Sequence, residues 1–274
     1  MSHYVVGVVT KEKPSYEYLE DILEPYNENR VVEHTISKQE LIDKERESIR
    51  SFENGLYKEY LKDPQKYIEE NGQNKTHIEY ITKIFPKRLN WTDEECYEEA
   101  IKVYDEEDIL PNGDVVSRYN PNSKWDWWTI GGRWGGLITN KDGEQVDDCL
   151  ISDMRNLYDE DVAKKSRRFW ELYVEGQEPQ NADEEDELKR AFYKKEYYTG
   201  YYQTKENYAQ CQATFSLYAY IDVDGEWHAK GEMGWFGFSD QAKNAEMLWV
   251  NEFSKMLKEA GEKGYWLTII DCHI

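Results

Sequence analysis

Tyr265-Trp266-Leu267-Thr268-Ile269-Ile270-Asp271-Cys272-His273-Ile274 decides the fold. Its first six residues are almost unbroken apolar and aromatic, the pattern of a strand covered on both faces. Tyr4-Val5-Val6-Gly7-Val8-Val9 has the same character at the other end of the chain. Two such strands so far apart in sequence call for a sheet closed by non-local pairing. Ala213 to Asp222, the turn Asp224-Gly225 and Glu226-Trp227-His228 supply further strand pattern. The expected class is α+β: a compact mixed sheet built from N-terminal, central and C-terminal strands, with a helical middle insertion. The expected division is a discontinuous core of residues 1–150 and 207–274, with an acidic helical lobe at 151–206.

Helical signals fill the intervals. Pro14 and Ser15 precede a short helix carrying Leu19, Ile22 and Leu23, and Ser37 with Glu40 predicts a capped helix start. Residues 92–103 suit an acidic helix, and Leu110 to Asp114 reads as a turn leading into Val115-Val116-Ser117. Asn140-Lys141-Asp142-Gly143 predicts a hairpin turn. A long helix over about 240–260, capped by Ser239 or Asp240, presents Leu248, Trp249, Phe253, Met256 and Leu257 at helical spacing.

Composition limits the partners. The chain has 56 acidic residues against 34 Lys and Arg, a formal net charge of -22. That field disfavours nonspecific contact with nucleic acid or an anionic membrane and favours basic partners. The 4 cysteines, Cys96, Cys149, Cys211 and Cys272, include no CxxC pair, which fits a reduced protein better than a disulfide framework. Met1-Ser2-His3-Tyr4 lacks a secretion pattern, and no stretch has bilayer-spanning length, so the expected location is cytoplasmic. No cofactor motif is present: neither GxxxxGK[ST] nor GxGxxG occurs.

The most unusual segment is Asn120 to Gly136, with Lys124, Trp125, Asp126, Trp127, Trp128, Gly131, Gly132, Arg133, Trp134, Gly135 and Gly136. Arg133 offers a rigid donor fork to an anion, Lys124 a mobile cation, and the tryptophans a stacking wall. Alternatively, the tryptophans pack into a core while Asp126 and Arg133 satisfy each other. Asp271 and His273 share a strand face while Cys272 points oppositely, so Asp271 can orient His273 as a base. His3 and His228 are candidate neighbours of that pair. No ligand spacing supports a metal among His3, His228, Asp271 and His273. Glu226 and Glu232 are a candidate acid/base pair, with surface carboxylates the preferred reading. Asp183, Glu184, Glu185, Asp186 and Glu187 form a candidate acidic docking surface at a helix start.

Four blocks together resemble a family of phage and bacterial proteins without an assigned reaction. They are Met1-Ser2-His3, Asn120 to Gly136, Gly225 to Gly237, and Leu267 to Ile274. The resemblance implies that the blocks form one module, converging around His3, Trp125, Asp126, Arg133, Trp227, His228, Asp271 and His273. It also implies a phage accessory protein that binds and inhibits a host defence protein, such as a nucleic-acid-processing or nucleotide-dependent one. The expected function is therefore an acidic, anti-defence interaction protein rather than an enzyme, with no direct nucleic acid or membrane partner and self-association left open. The alternative is a small-molecule-binding protein or hydrolase. In it, Arg133 holds an anionic group, Trp125 or Trp127 stacks it, and Asp271 with His273 moves a proton.

Overall fold

The computed structural model describes residues 2–189, 191–230 and 245–274, with 232–233 and 239–240 as backbone. Contacts divide the chain into two compact units, Met1–Glu28 with Asn122–Ile274, and Asn29–Pro121.

The first unit is built on a 6-stranded mixed sheet. Its strands are β1 (His3–Thr10), β2 (Trp127–Ile130), β3 (Asp148–Leu150), β4 (Ala219–Ile221), β5 (Trp227–Ala229) and β6 (Trp266–His273). The order is β2-β6-β1-β4-β5, and β3 also pairs with β6. The two apolar runs meet antiparallel along their whole length, His3 opposite His273 and Thr10 opposite Trp266. β4 joins β1 in parallel, as Val6 opposite Ala219 shows.

Helices in this unit are α1 (Tyr16–Leu23), α2 (Glu160–Tyr173), α3 (Ala182–Lys189), α4 (Lys195–Tyr201), α5 (Lys205–Ala213) and α6 (Ala245–Glu262). Strand alternation sorts side chains between two cores. Tyr4, Val6, Val8, Ile270 and Cys272 pack with Leu19 and Leu23 of α1. Val9, Leu267 and Ile269 pack with Trp249, Phe253 and Leu257 of α6. Burial on both faces explains why these strands are nearly continuous in apolar residues.

The α+β class with a helical middle is the observed one, but the compact division lies elsewhere than 151–206. Phe169 and Trp170 of α2 and Tyr198 of α4 share a core with Val250 of α6, so these helices belong to the sheet-bearing unit. The early part of the chain departs instead. Val115–Ser117 is the strand its β-branched residues suggested, and it pairs with His34–Ile36 outside the main sheet. Ile36, Leu41, Ile42, Ile49, Phe85, Cys96, Tyr97 and Val115 form a separate core. Ser37 caps the helix Lys38–Phe52, and Thr92 with Glu95 closes a capping box on Asp93–Ala100.

The hairpin expected at Asn140 to Gly143 joins Ile138–Thr139 to Gln145–Val146. Ser239–Asp240, expected as a helix cap, pairs with Glu232–Met233 instead, and α6 is described from Ala245. Among the described residues no helix is long and apolar enough to cross a membrane.

A candidate site of two carboxylate-held histidines

Register assembles the candidate site. His273 stands opposite His3 on β1 and opposite Trp127 on β2. Directly opposed residues share a face, so three adjacent strands place His3, His273 and Trp127 in one row. The imidazole centroids of His3 and His273 are 4.9 Å apart at 73°. Trp127 packs edge-to-face with His3 at 6.1 Å and is 51% exposed.

Each histidine has its own carboxylate. His3 Nδ1 lies 2.8 Å from Asp271 Oδ1, and His273 Nδ1 lies 2.6 Å from Asp126 Oδ1. An ionised carboxylate only accepts, so each Nδ1 carries a proton and Nε2 is the ring nitrogen left to exchange one: an acceptor in the neutral imidazole, a donor in the imidazolium. Among the described residues no partner engages either Nε2. Asp271 and His273 do share a face, but Asp271 does not orient His273. Its carboxylate turns instead to the diagonal neighbour across the strand pair, His3, and to the Arg133 N–H. Asp126, just before β2, reaches His273, and its backbone N–H also donates to His273 O at 3.0 Å.

The glycine-rich turn holds these groups in place. Asp271 is 2% exposed, and its Oδ2 accepts from the Arg133 N–H at 2.9 Å. Gly132 has φ +54°, and a Cβ there would overlap the Asp271 carboxylate. Gly131 has φ +66°, and a Cβ there would overlap Asp147, whose Oδ1 accepts from Gly136 N–H at 2.6 Å. The glycines therefore let the chain fold around two carboxylates, a positive-φ, close-approach role. Nothing in the sequence marked Asp147 for this role, because its partner lies across a hairpin.

The remaining predicted residues separate. Trp125 is buried in the α1-side core and donates Nε1–H to Leu23 O at 3.1 Å, so it stacks no ligand. Trp128 stacks on Tyr16 at 5.0 Å, and Trp134 packs against the α6-side core. Arg133 and Asp126 do not pair. The Arg133 side chain is exposed and has no ion pair among the described residues. Lys124 lines a small cavity of about 50 Å³ with Tyr4, Tyr218 and Trp227. Tyr4 follows His3 on β1, so that cavity opens on the opposite sheet face.

His228 lies away from the histidine row. It stacks on Tyr220 at 4.5 Å, and its Nε2 is 3.0 Å from Asp222 Oδ2. Asp222, Glu226 and His228 bring ligand-type atoms within 4.8 Å of one another. Asp222 Oδ1 also accepts the N–H groups of Asp224 and Glu226, which is the hydrogen bonding of a hairpin turn. Glu232, the other half of the expected acid/base pair, has its side chain outside the described residues, as do Gly231, Gly234, Trp235, Phe236 and Gly237. Cys272 is fully buried on the face opposite the histidines, and burial pushes its thiol up.

In the acidic run, Asp183, Glu185, Asp186 and Glu187 are exposed. Glu184 is not free for docking: both its oxygens bond Arg168, at 2.9 and 2.8 Å. Arg168 and the Gln180 N–H hold its carboxyl down to about 2.

Comparison with known proteins brings no match among family models, curated proteins or solved structures.

Proposed function

We propose that the protein is a small-molecule-binding protein or hydrolase whose proton-transfer groups are His3 and His273. The observation that carries this reading is the cross-strand pair of imidazoles, each fixed by its own carboxylate with Nε2 unengaged. Two neighbouring bases of this kind divide the labour of hydrolysis. One Nε2 takes a proton from the attacking water, and the other, protonated, delivers a proton to the leaving oxygen. Arg133 supplies a cation for an anionic group, and exposed Trp127 supplies a stacking face. Asp271 and Asp126 are positioning residues that hold the imidazole tautomers.

The test is a panel of phosphate and carboxylate esters assayed with wild type, His3→Gln and His273→Gln. The expected result is hydrolysis of one ester class that falls by roughly 10²–10⁴ in either variant. Hydrolysis by both variants at the wild-type rate, or no hydrolysis and no ligand-induced shift of either imidazole by NMR, removes this reading.

A second reading is favoured by the surface around α3. Exposed Asp183, Glu185, Asp186 and Glu187 are followed in sequence by Phe192, which is 86% exposed, and Tyr193, which is 46% exposed. Acidic steering beside aromatic anchors is the composition of a docking surface. In this reading the protein is phage-associated and inhibits a host defence protein by covering a basic surface. Capture of that protein from host lysate should be lost on charge reversal of the four exposed acids. Retained capture by a folded variant rules the contact out.

A further inference from the structure

Beside the acidic helix lies a groove of about 410 Å³. Phe169, Tyr198 and Tyr208 line it, with Glu187 and Lys165 contributing its formal charges and Ser166 and Gln212 further polar groups. The three ring centroids form a near-equilateral triangle: 5.5 Å from Phe169 to Tyr198, 5.8 Å from Phe169 to Tyr208, and 5.7 Å from Tyr198 to Tyr208. Phe169 and Tyr198 are buried and the ring arrangement is tied to the core under α2 and α6, so the lining is fixed rather than loose. Glu187 makes no ion pair among the described residues, and burial, then Tyr198, then the Glu187 charge push the Tyr208 hydroxyl up to about 12.

We propose that this groove binds the guanidinium of an arginine side chain presented by a basic partner protein. Aromatic faces attract a cation through their quadrupole, and the planar guanidinium also stacks on them. Glu187 supplies an acceptor for the guanidinium N–H groups. The wider charge agrees: exposed Asp183, Glu185 and Asp186 share α3 with Glu187, and the chain carries -22 overall. Lys165 opposes the interaction and sets a second prediction. The inference deepens the docking reading by naming its anchor and is independent of the histidine site.

The probe is the peptide acetyl-Gly-Arg-Gly-amide, with its citrulline counterpart as the uncharged shape control. Binding is followed by NMR shifts of the aromatic rings. The arginine peptide should shift the Phe169, Tyr198 and Tyr208 ring signals and bind more tightly than the citrulline peptide. Glu187→Gln should weaken it about fivefold, the scale of one partly exposed ion pair. Glu185→Gln, the same charge change on the same helix, should leave it within about twofold, and Lys165→Gln should tighten it. Equal binding of both peptides, equal effects of the two Glu variants, or no ring shifts overturns the assignment. Host-protein capture separates the two levels. If capture depends on the acidic surface but the peptide misses the groove, only the arginine anchor fails. If the peptide binds as stated but capture survives charge reversal, only the docking reading fails.

Discussion

Asp271→Asn isolates the claim that a buried carboxylate fixes the tautomer of His3. The substitution preserves side-chain volume at a position 2% exposed, so no cavity opens. The carboxylate now accepts from His3 Nδ1 at 2.8 Å and from Arg133 N at 2.9 Å. An asparagine has one acceptor oxygen and one amide donor group. With the oxygen kept on the Arg133 N–H, the amide nitrogen faces His3 Nδ1, which must become the acceptor. The proton then moves to Nε2, and the lone pair presented by His3 is lost. Bonds to a charged group contribute about 1.5–3 kcal/mol against about 0.5–1.5 for neutral ones. Weakening two bonds therefore costs about 2 kcal/mol, less whatever is recovered by no longer burying a charge. Asp271→Ala leaves both donors without a partner and opens a void, so its cost should be larger, about 3–5 kcal/mol. Imidazole ¹⁵N shifts report the tautomer and urea unfolding reports stability. A His3 that keeps its Nδ1 proton in Asp271→Asn refutes the reasoning, and so does an alanine variant no less stable than the asparagine one.

Three further outcomes follow from the same geometry. Gly132→Ala combines a positive φ with a Cβ that displaces the Asp271 carboxylate, and should destabilise the protein by about 2–4 kcal/mol in thermal or urea unfolding; wild-type stability would show that the turn does not need glycine there. The Glu184 carboxyl is lowered from 4.5 to about 2 in the folded state, so its pairing stabilises above about 4.5 and is lost as pH falls from there to about 2. Arg168→Gln should move its midpoint back toward 4.5 by carboxyl ¹³C NMR, and an unmoved midpoint contradicts the assignment to Arg168. All four thiols are buried, and burial raises Cys96, Cys149, Cys211 and Cys272 alike, Cys211 to about 12. A thiol reagent at neutral pH should label none in the native protein and all after unfolding; rapid native labelling of any one contradicts the packing.

The acidic surface and the histidine row place different demands on the chain. Glu184 is committed to Arg168, so the docking surface rests on its neighbours rather than on the whole run. The histidine row lies where β1 and β6 meet, and the glycine turn fixes one of its carboxylates through Arg133 N–H. Each can be disabled by substitutions at residues the other does not use.

The sequence by itself determined the fold class and the two long central strands, though not β2 or β3. Unbroken apolar runs at 4–9 and 265–270 could be buried only in a sheet covered on both faces, and strand alternation put Asp271 with His273 and Cys272 opposite. The local capping signal at Ser37 likewise acted through a near neighbour and appears in the structure. What the tertiary structure alone decided was pairing across distance. Asp126 reaches His273 over 147 positions and Asp271 reaches His3 over 268. Val115 joins Ile36 across 79 positions. Of the four tryptophans in the segment, Trp127 is half exposed while Trp125 is buried and Trp128 and Trp134 are half-buried. Periodicity fixes the face a side chain takes, but register across strands fixes which residue it meets, and register depends on the whole packed sheet.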